Sequence, residues 1–278
     1  MASSVRDFYD GLAAEYHLVY GDRWDDAVAH QGAVLDRLTR EVHGGAADVL
    51  DCACGIGTQA IGLALRGHRV HGTDISERSL ERARAEAARL GADVAFAVAD
   101  FRDLATVSDS FDVVLSCDNA LPHLLDGADV LRALRAMRSK LRPGGLLVIS
   151  IRDYDAERPA APPPYVVAGP PRRIVVRLHD WDAPDSPLYT VRFFFITETG
   201  DGWELAHHGA RYRAMPRAEL TAAAADAGFD HIVWREADEV GYHQPLLTAR
   251  AWESQAATRV ERSDSQAARR SGGSAGLK

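Results

Sequence analysis

The amino-acid sequence predicts an α/β fold built on a mostly parallel β-sheet. Short apolar segments alternate with amphipathic segments between residues 46 and 153, as they do when a crossover helix follows each parallel strand. Several of the apolar segments end in an acidic residue, and a loop with two glycines separates the first strand from the next helix. With 278 residues, of which 46% are apolar, the sequence can form one elaborated domain of this class.

Seven segments have the length and composition of strands in the main sheet. They read ADVLDCA, RVHGTD, VAFAVAD, FDVVLSCD, LLVISIRD, HIVWRE and QPLLTARAW. The intervening helices are predicted at residues 58–66, at 77–90 with Ser76 as N-cap and Gly91 as the stop, near 130–141, and at 217–227. These elements predict a Rossmann-like seven-stranded sheet with helices on both faces.

The remaining segments differ in composition from this core. Residues 1–45 are predicted to form an N-terminal helical cap, since apolar residues recur there at helical spacing. Eight of the 12 prolines lie between residues 159 and 187, so residues 154–213 are predicted as a β-rich insertion that forms a lid. The cofactor-binding core is placed at 46–153 and its C-terminal part at 214–252. Residues 253–278 lack apolar periodicity, which predicts a disordered tail.

Composition narrows the classes of function. The net charge of −8 and the pI near 5.8 argue against a nucleic-acid partner, and no apolar run approaches the ~18 residues of a membrane span. The start of the sequence has no apolar signal core, and the three cysteines form no disulfide framework, so we expect a cytoplasmic protein. Cys52 and Cys54 have no second Cys/His pair at zinc spacing, so no metal is expected.

The glycine loop points to a particular cofactor. Asp51 ends the first strand just before Gly55 and Gly57, where it would repel a pyrophosphate and so disfavours a nicotinamide-dependent dehydrogenase. S-adenosylmethionine carries no phosphate, and its ammonium and sulfonium groups are favoured by a nearby carboxylate. Asp74 and Asp100 end the next two strands, where carboxylates can accept hydrogen bonds from ribose hydroxyls and from an adenine amino group. The sequence therefore predicts S-adenosylmethionine as the cofactor.

The motifs LDCACGIGTQA, GTDIS, VADFRDL, FDVVLSCDNALPHL and LRPGGLLVIS stand in the order found in class I S-adenosylmethionine-dependent methyltransferases, which the sequence resembles. The resemblance implies that the methionine part of the cofactor lies at Asp51, Gly55 and Gly57. It also implies cofactor contacts beyond the loop, from Asp74, Ile75, Asp100, Phe101, Cys117, Asp118 and Asn119.

More narrowly, FYDGLAAEYHLVYGDRWD, CDNALPHL and GYHQPLLTAR are similar to the glycine and sarcosine N-methyltransferase branch. In that branch aromatic residues of the N-terminal segment close over the cofactor, which implies such a role for Tyr16, Tyr20 and Trp24. The insertion shows no match to the arginine that binds the amino acid in that branch. The resemblance therefore does not extend to glycine as the acceptor.

Five residues are candidates for catalysis because their side chains can orient an acceptor or accept a proton, and because they fall near strand ends or in the predicted lid. They are His123, Tyr154, His179, His207 and Tyr242. His123 can equally be a packing residue, and each lid histidine can equally be a surface residue.

The predicted function is methyl transfer from S-adenosylmethionine to a small molecule, with N-methylation of an amine or heterocycle as the leading hypothesis. C-methylation of an aromatic heterocycle such as an indole, in secondary metabolism, is the first alternative. A non-catalytic protein that binds S-adenosylmethionine is the second alternative, because its binding motifs would look the same. The sequence leaves open whether the protein forms a homodimer.

Overall fold

The computed structural model describes residues 4–156 and 160–251. In this part of the chain, seven strands form the main sheet in the order β10-β11-β5-β4-β1-β2-β3. These strands are β1 (Asp48–Asp51), β2 (Arg69–Asp74), β3 (Val94–Val98), β4 (Phe111–Ser116), β5 (Leu141–Ser150), β10 (Phe229–Arg235) and β11 (Leu246–Ala251). The predicted seven-stranded Rossmann-like sheet is confirmed.

Strand directions bring the predicted site residues to one edge of the sheet. β4 is the central strand, β1 pairs in parallel with β4 and β2, and β5 extends the parallel part on the other side of β4. β11 pairs antiparallel with both β5 and β10. Because the carboxyl ends of parallel strands share one edge, Asp51, Asp74 and the residues after Ser116 come together there.

Helices cover both faces of the sheet. They are α1 (Val5–Leu12), α2 (Trp24–His43), α3 (Thr58–Ala64), α4 (Glu77–Leu90), α5 (Gly127–Lys140), α6 (Arg217–Asp226) and α7 (Ala237–Val240), with a 3₁₀ helix at Tyr16–Tyr20. As predicted, Ser76 caps α4 by accepting a hydrogen bond from the Ser79 amide, and Gly91 ends it in the left-handed conformation. One apolar cluster lies between the sheet and α5 with α6, and another lies between the sheet and α2 with α3.

Two glycines join the N-terminal cap to the core. Gly32 of α2 and Gly62 of α3 face each other so closely that a Cβ on Gly32 would lie 2.6 Å from the Gly62 backbone. A Cβ on Gly62 would lie 2.5 Å from the Val28 carbonyl oxygen. Only glycine allows this approach, so α2 is packed against the core at backbone contact.

The predicted β-rich insertion forms a second sheet, which we call the lid sheet. Its antiparallel strands run in the order β6 (Tyr165–Val167), β7 (Arg173–Trp181), β8 (Leu188–Thr199) and β9 (Gly202–Arg213). Val175, Phe193 and Phe195 point to its buried face, where they pack with Phe8 and Leu12 of α1. Their sequence neighbours point outward, because side chains alternate along a strand.

Several local predictions need correction. β5 already begins at Leu141, so the RPGG segment belongs to the strand instead of preceding it as a turn. α3 ends at Ala64, two residues earlier than expected. β6 and α7 were not predicted, since three and four residues are too few to show a periodicity. The predicted tail at 253–278 lies outside the described residues, and the segment boundaries stay predictions. No helix in the described ranges is long and apolar enough to cross a membrane.

Candidate functional site

A cavity of about 280 Å³ opens at the carboxyl ends of β1, β2 and β4. The 3₁₀ helix of the N-terminal segment covers one side of it. The sequence-predicted residues that line this cavity are Tyr16, Tyr20, Gly55, Asp74, Ile75, Asp100, Phe101, Cys117, Asp118 and His123. We call it the first cavity. Most of the residues predicted to bind the cofactor therefore surround one space.

Asp51 is fully buried beneath the glycine loop at the end of β1. Its Oδ1 accepts a long hydrogen bond of 3.4 Å from the Ala53 amide, and its Oδ2 has no hydrogen-bond partner among the described residues. Burial, with smaller contributions from the negative charges of Asp74 and Asp118, raises the pKa of Asp51 to about 8. A cation bound near this carboxyl group would relieve its unfavourable burial.

Asp74 fixes the glycine loop from the end of β2. Its Oδ2 accepts a hydrogen bond of 2.9 Å from the Gly55 amide, and its Oδ1 accepts one of the same length from the Ser76 amide. Burial raises the pKa of Asp74 even though these two hydrogen bonds oppose the shift. Each carboxylate oxygen has a further lone pair, so the group can still accept hydrogen bonds from a ligand in the cavity.

Asp100 lies at the far end of the first cavity. Burial acts to raise its pKa, but the Arg102 guanidinium, which donates hydrogen bonds to both carboxylate oxygens, brings the pKa of Asp100 below its usual value. Arg102 also donates to Asp129 at 2.8 Å. Asp100 is therefore an ionised acceptor held in a fixed orientation beside Phe101.

Asp118 occupies the turn after β4 with a positive φ of 55°. Its carboxylate accepts hydrogen bonds from the Tyr20 hydroxyl at 2.8 Å and the Tyr242 hydroxyl at 3.0 Å, and His243 Nε2 lies 3.1 Å from Oδ1. Burial acts to raise the pKa of Asp118, but His243 and the two tyrosine hydroxyls together lower it below its usual value. Asp118 is thus a buried carboxylate that stays ionised.

These acidic groups fit S-adenosylmethionine. Asp51 has a buried oxygen without a partner in the part of the chain that the structure describes, and the negative charges of Asp74 and Asp118 act on the same carboxyl group. A ligand with an ammonium and a sulfonium is electrostatically favoured at such a place, whereas a pyrophosphate is disfavoured. Gly55, with a φ of +53°, leaves open space in front of Tyr16, whose ring would lie 3.8 Å from a Cβ at this position.

A larger cavity of about 820 Å³ adjoins the first cavity and extends under the lid sheet. We call it the second cavity. Tyr9, Tyr16, Tyr20 and Asp118 line both cavities and form the wall between them. The other polar residues that line the second cavity include Asn119, Arg152, Asp153, Arg177, His179, Tyr212, Glu236, Asp238, His243 and Gln244. This arrangement provides two neighbouring binding spaces.

The lid side of the second cavity carries two guanidinium groups. Arg152 donates hydrogen bonds to His179 Nε2 at 3.2 Å and to the Tyr189 hydroxyl at 3.5 Å, and it forms no ion pair within the described residues. Arg177 lies over the Phe193 ring, with Cζ 5.6 Å from the ring centroid. Both side chains are partly buried. The carboxylates that line the second cavity come from the core segments of the chain and are Asp118, Asp153, Glu236 and Asp238.

His123 lines the first cavity, but its ring is engaged on both sides. Nε2 lies 2.8 Å from the Tyr9 hydroxyl, and Nδ1 lies 3.3 Å from the Arg211 carbonyl oxygen. A neutral ring that donates from Nδ1 and accepts at Nε2 satisfies both contacts. Burial lowers the pKa of His123 to about 3, so the imidazole is a weak base. Its catalytic role stays a prediction, and these contacts favour a role in packing.

The other catalytic candidates differ in where they lie. His179 faces the second cavity, whereas the Tyr154 hydroxyl donates to Asn119 Oδ1 at 3.0 Å behind the cavity wall. Tyr242 is buried and bonded to Asp118. His207 points to the outer face of the lid sheet, is exposed and stacks on Phe194, so the structure places it away from both cavities.

Four residues predicted to bind the cofactor do not line the first cavity, namely Trp24, Asn119, Gly57 and Asp51, which is buried beneath the loop. Trp24 is buried behind the glycine loop, where its Nε1 donates to Thr58 Oγ1 at 3.0 Å, so it supports α3 and does not line the first cavity. Asn119 lines the second cavity instead of the first, because the chain turns at Asp118 with a positive φ. Its Oδ1 accepts a hydrogen bond from the Arg152 amide. Gly57 begins α3 in the left-handed conformation and shapes the loop without lining the cavity.

Sequence reasoning missed Tyr9, Arg152, Arg177 and His243. Arg152 directly follows β5, and the residue after a parallel strand is a position that could have been singled out. His243 lies just before β11, but nothing in the sequence shows that the antiparallel pairing of this strand brings it to Asp118. The described residues contain no cluster of three or more His, Cys, Asp or Glu that could hold a metal. Cys52, Cys54 and Cys117 are buried and free.

Comparisons with known proteins agree with the site. Residues 49–145 match the methyltransferase domain family. The chain is similar to glycine N-methyltransferase from Rattus norvegicus, with 33% identity over 168 residues that cover 55% of this chain and 56% of the relative. It is also similar to ubiquinone biosynthesis O-methyltransferase from Methylocella silvestris, with 31% identity over 175 residues that cover 57% and 65%. The chain thus spans between half and two thirds of these relatives.

A solved structure shows the same fold. It is the S-adenosylmethionine-bound amino pentose methyltransferase CalS10 from Micromonospora echinaspora, with a TM-score of 0.68 and 22% identity, covering 81% of this chain and 91% of that one. The likeness shows the fold, the matched domain bears out the prediction of a methyltransferase, and S-adenosylmethionine is the cofactor bound in the CalS10 structure. Residues 49–145 thus form a methyltransferase domain, and the chain is similar in fold and in sequence to S-adenosylmethionine-dependent methyltransferases.

Proposed function

We propose that this protein N-methylates a small amine that also carries a carboxylate. The observation that carries the proposal is the second cavity, which shares Asp118 and three tyrosines with the first cavity and presents an arginine without an ion-pair partner in the described residues. Methyl transfer requires the acceptor nitrogen to be held close to the donor methyl group, and two adjoining cavities provide this arrangement.

The first cavity would hold the cofactor. Asp51 and the loop at Gly55 would face its methionine part, Asp74 its ribose, and Asp100 with Phe101 its adenine. S-adenosylmethionine supplies an activated sulfonium methyl group, so the protein mainly has to align the acceptor, exclude water and remove a proton. The tyrosines of the N-terminal segment would separate the reacting groups from solvent.

The second cavity would hold the acceptor between opposite charges. Arg152 is placed to bind a carboxylate, and its backbone amide already donates to Asn119, which fixes the start of the segment after β5. The amine would then lie towards Asp118. The glycine named for the rat relative has both of these groups. A glycine-like acceptor, which the sequence alone did not support, is therefore consistent with Arg152.

His243 and Asp118 form the best-placed proton acceptor. His243 Nε2 faces Asp118 Oδ1 at 3.1 Å, its Nδ1 has no hydrogen-bond partner within residues 4–156 and 160–251, and its side chain is 44% exposed. A carboxylate that orients an imidazole and stabilises its protonated form is a common general-base arrangement. The ring would take one N–H proton from the acceptor ammonium, leave the electron pair on nitrogen, and release the proton to solvent.

C-methylation of an aromatic heterocycle is the second candidate. Phe8, Phe193 and Tyr212 line the second cavity and offer apolar surface to an aromatic ring. This candidate makes no use of Arg152 unless the heterocycle also bears an acid. A protein that binds the cofactor without catalysis makes no use of the second cavity at all.

The test is a turnover assay with labelled S-adenosylmethionine and a panel of acceptors. Glycine, sarcosine and anthranilate carry both groups, glycinamide and methylamine lack the carboxylate, and indole represents carbon acceptors. We expect mass spectrometry to find the label on nitrogen of the carboxylated amines and little turnover of glycinamide and methylamine. Label on carbon would support the second candidate. Cofactor binding without turnover of any acceptor in the panel would contradict the proposal.

A further inference from the structure

The second cavity has one more cation than a monocarboxylate acceptor needs. Arg152 and Arg177 both line it, and the positive charge of Arg152 adds to burial, the larger effect, in lowering the pKa of Arg177. One carboxylate bound at Arg152 would leave the Arg177 guanidinium in a partly buried place without an opposite charge. Such a charge is costly to keep unpaired.

Three other arginines in or beside the lid sheet differ from Arg177 in their contacts. Arg192 donates to Asp180 at 2.6 Å, Arg211 donates to Asp182 at 2.6 Å, and Arg172 donates to Glu198 at 2.8 Å. These three reach solvent and still have a carboxylate partner. Arg177 faces the cavity and has neither a hydrogen bond nor an ion pair within the described residues, only its contact with Phe193.

We propose that Arg177 is the subsite for a second acidic group, so that the acceptor is an amine bearing two carboxylates. This inference rests on the proposed function, because it concerns the same cavity. The hydrogen-bonding capacity of Arg177 is unused, and a planar guanidinium pairs well with a carboxylate. The Phe193 ring holds the guanidinium from one side and leaves its N–H groups for the ligand.

The carboxylate of the cofactor is the alternative partner of Arg177. Arg177 lines the second cavity and does not line the first, where the cofactor residues meet. Tyr16 lies between the two spaces and lines both of them. The geometry therefore favours the acceptor over the cofactor, and binding measurements separate the two.

The experiment is calorimetric titration of the full chain, first saturated with S-adenosylhomocysteine, with succinate and with butyrate. These probes have the same number of carbons and differ by one carboxylate. We expect succinate to bind at least about tenfold more tightly than butyrate, as one additional charge-assisted contact implies. In Arg177→Gln this preference should fall to about twofold or less, while Arg177→Lys should keep part of it.

Arg192→Gln is the matched control, because it removes a lid arginine from the outer face and should keep the full preference. Equal affinity of the unaltered protein for the two probes, or no binding of either, would overturn the proposal. So would an Arg177→Gln variant that loses affinity for S-adenosylhomocysteine and keeps its preference for succinate, since Arg177 would then serve the cofactor. If the protein turns over monocarboxylate amines in any of these cases, the proposed function stands and only the Arg177 subsite is refuted.

Discussion

Cofactor affinity should rise with pH through the ionisation of Asp51. The carboxyl group has a pKa of about 8 because it is buried beneath the glycine loop. Only about one tenth of it is ionised at pH 7, and about 0.3% at pH 5.5, as follows from a pKa of 8. A ligand that binds beside the ionised form through a cation must therefore displace a proton.

The size of the effect follows from these fractions. Between pH 5.5 and 7 the ionised fraction grows about 30-fold, which is about 2 kcal/mol of binding free energy. Cofactor affinity increases as the pH rises, because a proton on Asp51 competes with the cationic ligand. The amino group of the cofactor remains protonated over this range, since an ordinary α-amino pKa is about 8. The change of affinity between pH 5.5 and 7 therefore comes from a group of the protein and not from the cofactor.

The assay is calorimetric titration with S-adenosylmethionine in two buffers of different ionisation enthalpy. We expect close to one proton to be released on binding at pH 7, and the pH dependence to disappear in Asp51→Asn. Asp182→Asn, which changes an exposed carboxylate just after β7, should retain both effects. Affinity that is constant between pH 5.5 and 7, or an unchanged proton release in Asp51→Asn, would refute the placement of Asp51 beside the cationic part of the cofactor.

Three further predictions concern the division of roles around the two cavities. His243→Gln should lower turnover of the best acceptor about 10²–10⁴-fold, while calorimetry finds cofactor affinity unchanged. Turnover close to that of the unaltered protein would show that His243 only stabilises Asp118. Asp74→Ala should weaken cofactor binding at least about tenfold in a folded protein, through the loss of charge-assisted hydrogen bonds, and unchanged affinity would mean that the ribose lies elsewhere. His207→Ala should leave both cofactor affinity and turnover as they are, and a loss of turnover would contradict its position on the outer face of the lid sheet.

The core of the fold and the first cavity could be predicted because they follow from local pattern. Alternating strands and helices fix a parallel sheet, and the residues at its strand ends then have to meet, as Asp51, Asp74 and Asp118 do. Ser76 and Gly91 predicted the ends of α4 for the same reason, since capping depends on neighbouring residues.

The second cavity could not be predicted in the same way. Whether an arginine has a carboxylate partner depends on strands far apart in the sequence, so Arg177 and Arg192 look alike until the two faces of β7 and β8 are known. His123 and His207 also look alike in sequence, yet one is enclosed by Tyr9 and the other lies on the outer face. The pairing of His243 with Asp118 spans 125 residues and depends on the direction of β11.

The N-terminal region divides at Gly21 into two parts with different attachments. After this residue, α2 is packed against the core through Gly32 and Gly62. Before it, Phe8, Leu12 and Leu18 pack against the lid sheet, while a hydrogen bond of 2.6 Å from Ser76 to Asp10 ties the segment to α4.

The segment before Gly21 also carries the tyrosines that stand between the two cavities. A displacement of this segment would open both cavities in one movement, because its tyrosines line both of them. We therefore expect steady-state kinetics of ordered type, in which the spent cofactor cannot leave while an acceptor is held. Inhibition by S-adenosylhomocysteine would then be competitive towards S-adenosylmethionine and non-competitive towards the acceptor.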